Sequence, residues 1–214
     1  MNHLENLNEM YKSIRERIEE RIKVFEKIWL SSTDKELFIE LAFCILTPQS
    51  KARSAESCIE KLLETDLLFT GNPQEIEPYV NKVRFSKRKA IFIVIARNDF
   101  IDNKKHDLRE ILTSLPTIKE KREWLVKHVK GIGYKEASHF LRNIGFGKEL
   151  TILDRHILKN LVRYEVIKEV PKSLTKKVYH EIEEKMIDFA LKNHIPLDHL
   201  DFIWWYAEAK DIFK

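Results

Sequence analysis

The sequence predicts an all-α protein, and three observations carry that expectation. Apolar residues recur three or four positions apart almost throughout the chain. Glycine accounts for 5 of 214 residues and proline for 6, well below the usual roughly 7% and 5%. Sandwiches and barrels need a turn every few residues, so that scarcity argues against them. Cys44 and Cys58 are the only cysteines, too few for a disulfide framework, a four-cysteine zinc site or a four-cysteine iron–sulfur cluster. Hydrophobic residues make up 43%, enough for a folded core. No apolar run approaches 18 residues, and Met-Asn-His-Leu-Glu-Asn lacks a basic-then-apolar signal. The expectation is a cytoplasmic protein without a membrane segment.

Each element has a local reason. Ile14, Ile18, Ile22 and Phe25 form one stripe of a long N-terminal helix. Thr33-Asp-Lys-Glu36 is a capping box, and it opens an apolar helix through Leu37, Phe38, Leu41 and Ile45 that Pro48 stops. The β-branched run Ala90–Ala96 follows Lys87-Arg88-Lys89 directly and lacks a partner strand, so it is read as a buried helix. Thr117-Ile-Lys-Glu120 is a second capping box, opening a helix through Trp124, Leu125 and His128. Gly145 ends a helix over Tyr134–Ile144. Asp154 precedes the stripe Ile157, Leu158, Leu161 and reads as an N-cap. A last helix is expected to run about two and a half turns beyond Trp205. Roughly ten helices with short links result, with no repeat or low-complexity tract.

Charge is unevenly spread. The net charge is +4. Residues 84–105 carry seven Lys/Arg against two Asp, and 119–135 carry six against two Glu. Residues 181–211 reverse this, with eight acids against three lysines. A basic middle facing a polyanion is one reading, and a solvated helical surface is the plainer one. The charged fraction of 34%, against roughly 25% on average, leans toward a thermophilic source.

Four of the five glycines, Gly131, Gly133, Gly145 and Gly147, fall close together. Gly131-Ile132-Gly133 lies between two expected helices. Such a turn lets backbone N–H groups at the start of the second helix face a phosphate, while Ile132 packs inward. This is the pattern of a helix-hairpin-helix clamp on the DNA backbone. An αα-hairpin that merely needs glycines is the plain alternative. Lys135 then falls in the first turn of the second helix, where an amine can attack an electrophilic sugar carbon and form a Schiff base. Alone, Lys135 would be a phosphate contact and Asp154 only a cap. Their succession, one helix and one loop apart, favours chemistry.

Gly131-Ile-Gly-Tyr-Lys135 with Asp154-Arg-His156 resembles the signature of the helix-hairpin-helix DNA glycosylases, in their bifunctional glycosylase/AP-lyase branch. Phe43-Cys-Ile-Leu-Thr47, Arg84-Phe85, the stretch 131–145 and the ending Trp205…Lys214 are similar to the compact prokaryotic 8-oxoguanine DNA glycosylases. The resemblance spans most of residues 37–214. Two cysteines do not supply the iron–sulfur loop of the endonuclease III-like members, and the β-rich N-terminal domain of the larger enzymes is not expected here.

The resemblance implies two helical lobes with the active-site cleft between them. One lobe would span residues 30–148 and carry the hairpin; the other would comprise 1–29 and 149–214. It implies catalytic Lys135 and Asp154, and backbone binding by Gly131, Ile132 and Gly133. Gln49 would fill the stack vacated by the flipped base, Phe85 and Trp205 would wall the base pocket, and Lys214 would present its terminal carboxylate to N7 of the lesion. The implied partner is double-stranded DNA containing an oxidised purine, met by a monomer that needs no cofactor and no metal. His194 and His199 are set aside as metal ligands because Pro196 breaks their spacing, and His156 is read as packing behind Asp154. Two other readings share these motifs: a non-catalytic DNA-binding module, and a glycosylase for oxidised pyrimidines.

Overall fold

The computed structural model of the chain describes residues 3–103, 105–209 and 212, and no strand occurs among them. The helices are α1 (His3–Ser31), α2 (Asp34–Leu46), α3 (Ala52–Glu64), α4 (Leu67–Thr70), α5 (Pro73–Ile76), α6 (Ser86–Arg97), α7 (Leu108–Ser114), α8 (Ile118–His128), α9 (Tyr134–Asn143), α10 (Arg155–Arg163), α11 (Lys176–Lys192) and α12 (Leu197–Ala209). A 3-10 turn, Glu77–Val80, and a π-turn, Asn98–Asp102, follow α5 and α6.

The chain divides into two units, one of residues 28–140 and one of 1–27 with 141–214. The sequence-based boundaries lay after residues 29 and 148. Residues 141–148 side instead with the chain ends, and their packing explains why. The Arg142 guanidinium sits over the rings of Phe25 (5.2 Å) and Phe202 (4.6 Å) and donates to Asp201 at 3.3 Å. At Gly145 (φ +93), a Cβ would lie 2.9 Å from the Glu26 backbone, so the turn after α9 seats directly on α1.

In the unit 28–140, α2 is the central helix. Leu37, Phe38, Leu41, Ala42, Phe43, Cys44, Ile45 and Leu46 are all buried, as expected of a helix apolar on every side. Both expected capping boxes form, with Thr33 and Thr117 each accepting from the N3 amide while Glu36 and Glu120 reach back. The Ala90–Ala96 run is helical within α6. It is not wholly buried, because Ile91 and Ile95 face outward.

In the other unit, Leu7, Ile14, Ile18 and Phe25 of α1 are buried. Trp204 is buried too, stacked on Tyr164 at 5.6 Å and set against Phe189 at 5.9 Å. The expected terminal helix is too long. Helix α12 is described to Ala209, and Ile212 is not helical. Its side chain is buried, and its carbonyl accepts from Arg21 Nη2 at 3.5 Å, so local packing competes with continuing the helix.

Candidate nucleic-acid and catalytic site

The hairpin between α8 and α9 is built from below by α6. Gly131 adopts φ +90, and a Cβ there would lie 2.4 Å from Cδ2 of Phe92. Both the backbone and the space therefore require glycine. Ile132 turns inward and is buried. Gly133 differs: a Cβ there would meet only Glu136 Oε2, at an ordinary 3.5 Å. Packing within the chain makes no demand at that position, which suits a surface kept low for an approaching backbone. The Gly133 N–H is not a free donor, as the sequence suggested, because it donates to Glu136 Oε2 at 3.2 Å.

Helices α8 and α9 are locked together beneath this turn. Buried Arg122 donates to Ser138 Oγ at 3.1 Å and lies over the Tyr134 ring. The Tyr134 hydroxyl is 2.8 Å from Glu123 Oε2. Lys135 sits in the first turn of α9, its side chain 22% exposed, with Nζ 3.8 Å from Glu136 Oε1.

A second cluster in the same unit joins the exit of α2 to the entry of α6. Gln49 and Phe85 both have left-handed backbones, at φ 53 and φ 60, a conformation costing about 1–3 kcal/mol at a non-glycine residue. Gln49 is exposed and Phe85 is 50% exposed, so neither contributes to the core. The Arg84 guanidinium covers the Phe85 ring at 5.2 Å. Between these turns lies Lys89, buried, donating to the carbonyls of Leu46 (2.8 Å) and Pro48 (2.7 Å) and to Ser50 Oγ (3.0 Å). Ser50 Oγ also accepts from the Arg84 amide at 2.9 Å. Burial pushes the Lys89 ammonium down to about 8. Glu136 opposes that fall, while Lys135 deepens it.

Asp154 belongs to the other unit. It is the N-cap of α10, and Oδ1 alone accepts from the amides of His156 (2.7 Å) and Ile157 (2.8 Å). Oδ2 therefore takes no part in the cap. The buried strap Thr151–Leu153 that delivers Asp154 is held by α11. Glu183 Oε1 accepts from the Thr151 amide (3.2 Å) and Oγ1 (3.0 Å), and the Tyr179 hydroxyl donates to the Thr151 carbonyl (2.7 Å). Trp205 is half-buried, unlike its neighbour Trp204. His156 lies beside it, ring centroids 5.8 Å apart, with Nδ1 3.9 Å from Glu208. His156 is thus a neighbour of Trp205 rather than a backing for Asp154 alone. Lys214 lies outside the described residues.

The structure places Lys135, Gln49, Phe85 and the hairpin on one unit and Asp154 and Trp205 on the other. Sequence reading missed Lys89, Tyr179 and Glu183. Lys89 shares a helix face with Ile93 and Ala96, the one signal in the sequence that it turns inward. Basic runs also overstate the basic surface, because Lys89, Arg97, Lys121 and Arg122 are buried. Arg97 and Lys121 donate to backbone carbonyls, those of Gly71 and Leu115 among them. Among the described residues no group of three His, Cys, Asp or Glu side chains could hold a metal. His199 Nδ1 is engaged with the Tyr11 hydroxyl at 3.0 Å.

A family model described as 8-oxoguanine DNA glycosylase matches residues 18–195. An 8-oxoguanine DNA glycosylase/AP lyase of Fusobacterium nucleatum is 47% identical, covering 99% of this chain and 98% of the relative. One of Korarchaeum cryptofilum is 40% identical over 94% and 92%. The Methanocaldococcus jannaschii 8-oxoguanine glycosylase/lyase, solved in complex with 15mer DNA containing 8-oxoguanine, superposes with a TM-score of 0.87 at 34% identity, covering 99% of both chains.

Proposed function

The chain belongs to the 8-oxoguanine DNA glycosylase family, and from that premise we propose that it excises 8-oxoguanine from duplex DNA and then nicks the strand. The observation that carries this reading is the full-length likeness to a glycosylase/lyase bound to DNA holding that lesion. The residues fit the chemistry. The lesion leaves the base stack, Gln49 fills the gap, and Phe85 and Trp205 stack on the extruded base. Lys135 Nζ attacks C1′ and gives up a proton as the C–N bond forms. The C1′–N9 bond breaks, its electron pair leaves with the base, and N9 takes up a proton. Ring opening gives the Schiff base at C1′. Loss of a proton from C2′ then expels the 3′ phosphate by β-elimination, and water releases the lysine.

In this proposal Asp154 stabilises positive charge developing on the sugar through Oδ2, the oxygen its cap leaves over. The hairpin holds the DNA backbone at Gly131, Ile132 and Gly133, with Glu136 yielding the Gly133 amide to a phosphate.

Borohydride trapping tests the assignment. Wild-type protein should form a covalent adduct on an 8-oxoguanine duplex and far less on duplexes carrying oxidised pyrimidines. Lys135→Gln should abolish both adduct and cleavage while retaining DNA binding, since the hairpin backbone is intact. Wild-type cleavage rates in that variant would remove Lys135 as the nucleophile. A stronger adduct on oxidised pyrimidines would reassign the substrate, and absence of any adduct with wild-type protein would leave only a DNA clamp.

A further inference from the structure

Lys89 is buried and makes three hydrogen bonds, none of them to a carboxylate. An ammonium has three N–H donors, and all three are used. Two go to the carbonyls at the end of α2 and one to the Ser50 hydroxyl, which also holds the Arg84 amide. Burying a charge is expensive, and an apolar side chain of similar length would fill the same space at less cost. The charge is therefore kept for what it connects.

We propose that Lys89 is a positioning residue for base extrusion: it ties the turn carrying Gln49 to the turn carrying Phe85, and so sets the spacing between plug and pocket wall. The proposal rests on the roles assigned above to Gln49 and Phe85. Both side chains stand on left-handed backbones, which persist only where surrounding structure over-determines them. The Lys89–Ser50 bridge supplies that constraint on both turns at once. Displacement of a substrate-contacting group by about 1 Å is enough to slow a reaction on the order of a hundredfold. The charged and titratable groups facing Lys89 are Glu136 and Lys135 on α9, Cys58 on α3 and Arg84 before α6.

Cleavage at an abasic site needs Lys135 but has no base to extrude, so comparing substrates isolates the effect. Single-turnover rates on 8-oxoguanine and abasic duplexes should be measured for Lys89→Met, Ser50→Ala, Gln49→Ala and Phe85→Ala, with folding checked by circular dichroism. A 2-aminopurine beside the lesion reports unstacking. Lys89→Met should lower excision roughly tenfold or more relative to abasic cleavage, and should suppress the fluorescence rise seen with wild-type protein. Ser50→Ala should shift both readouts the same way by a smaller factor, and it decides the matter alone where Lys89→Met does not fold. If Gln49→Ala and Phe85→Ala impair excision selectively while the bridge variants impair both substrates equally or neither, the proposal is overturned. If Gln49→Ala and Phe85→Ala show no selective effect either, the reading of the site falls and the proposal falls with it.

Discussion

In the proposed reaction Asp154 divides two duties between its oxygens. Oδ1 holds the first turn of α10, and Oδ2, which the cap does not use, is the oxygen proposed to stabilise the sugar. Asparagine retains a capping oxygen and caps as well as aspartate does, so Asp154→Asn should unfold at nearly the wild-type urea midpoint. Its single-turnover excision should nevertheless slow by roughly two orders of magnitude or more, the scale for removing one group from a preorganised site. Normal rates in that variant would demote the residue to a cap. Lys135 and Asp154 were legible in the sequence because each sits at a helix start with a readable boundary signal, glycines in one case and a capping pattern in the other. Lys89 was not. A lysine inside a basic run looks solvated, and only the fold reveals that its ammonium points at the carbonyls of Leu46 and Pro48. The left-handed backbones at Gln49 and Phe85 were equally hidden, since neither residue type favours that conformation.

At the scale of the element, α11 grips the strap that leads into Asp154. Removing the Glu183 carboxylate strands the Thr151 amide in a buried setting, a loss of about 1–3 kcal/mol. Glu183→Ala should therefore lower the free energy of unfolding by that amount in urea and also slow excision, because Asp154 follows directly on the strap. Tyr179→Phe removes the bond to the Thr151 carbonyl and the longer one accepted from the Leu153 amide, and should cost about 1–3 kcal/mol. A Glu183→Ala protein destabilised as expected but with wild-type excision rates would show that the strap does not position Asp154. Helices α2, α8 and α10 could be read from the sequence because their caps and stripes are local. The grip of α11 joins residues that the chain keeps far apart, and no periodicity announces such a pair. The overlong terminal helix failed for a related reason. Helical spacing continues past Ala209 in the sequence, whereas Ile212 is buried outside any helix.

For the molecule as a whole, Lys89 gives stability a readable dependence on pH. Its folded value of about 8 lies below its ordinary 10.5. Between those values the unfolded chain holds the proton more tightly than the native one, so the Lys89 contribution to stability rises with pH. Unfolding free energies of wild type minus Lys89→Met should climb from pH 8 toward 10, by at most about 1.4 kcal/mol per unit. A flat difference would mean that Lys89 titrates normally. The two-unit division was anticipated from resemblance rather than composition, since no linker marks it. It also orders events during synthesis. The unit 28–140 is one uninterrupted stretch, whereas the other is assembled from both ends. Leu7, Ile14, Ile18 and Phe25 leave the ribosome first, and partners such as Phe202 are made on the order of ten seconds later. Over that interval the apolar stripe of α1 has yet to meet the C-terminal residues that cover it in the folded unit.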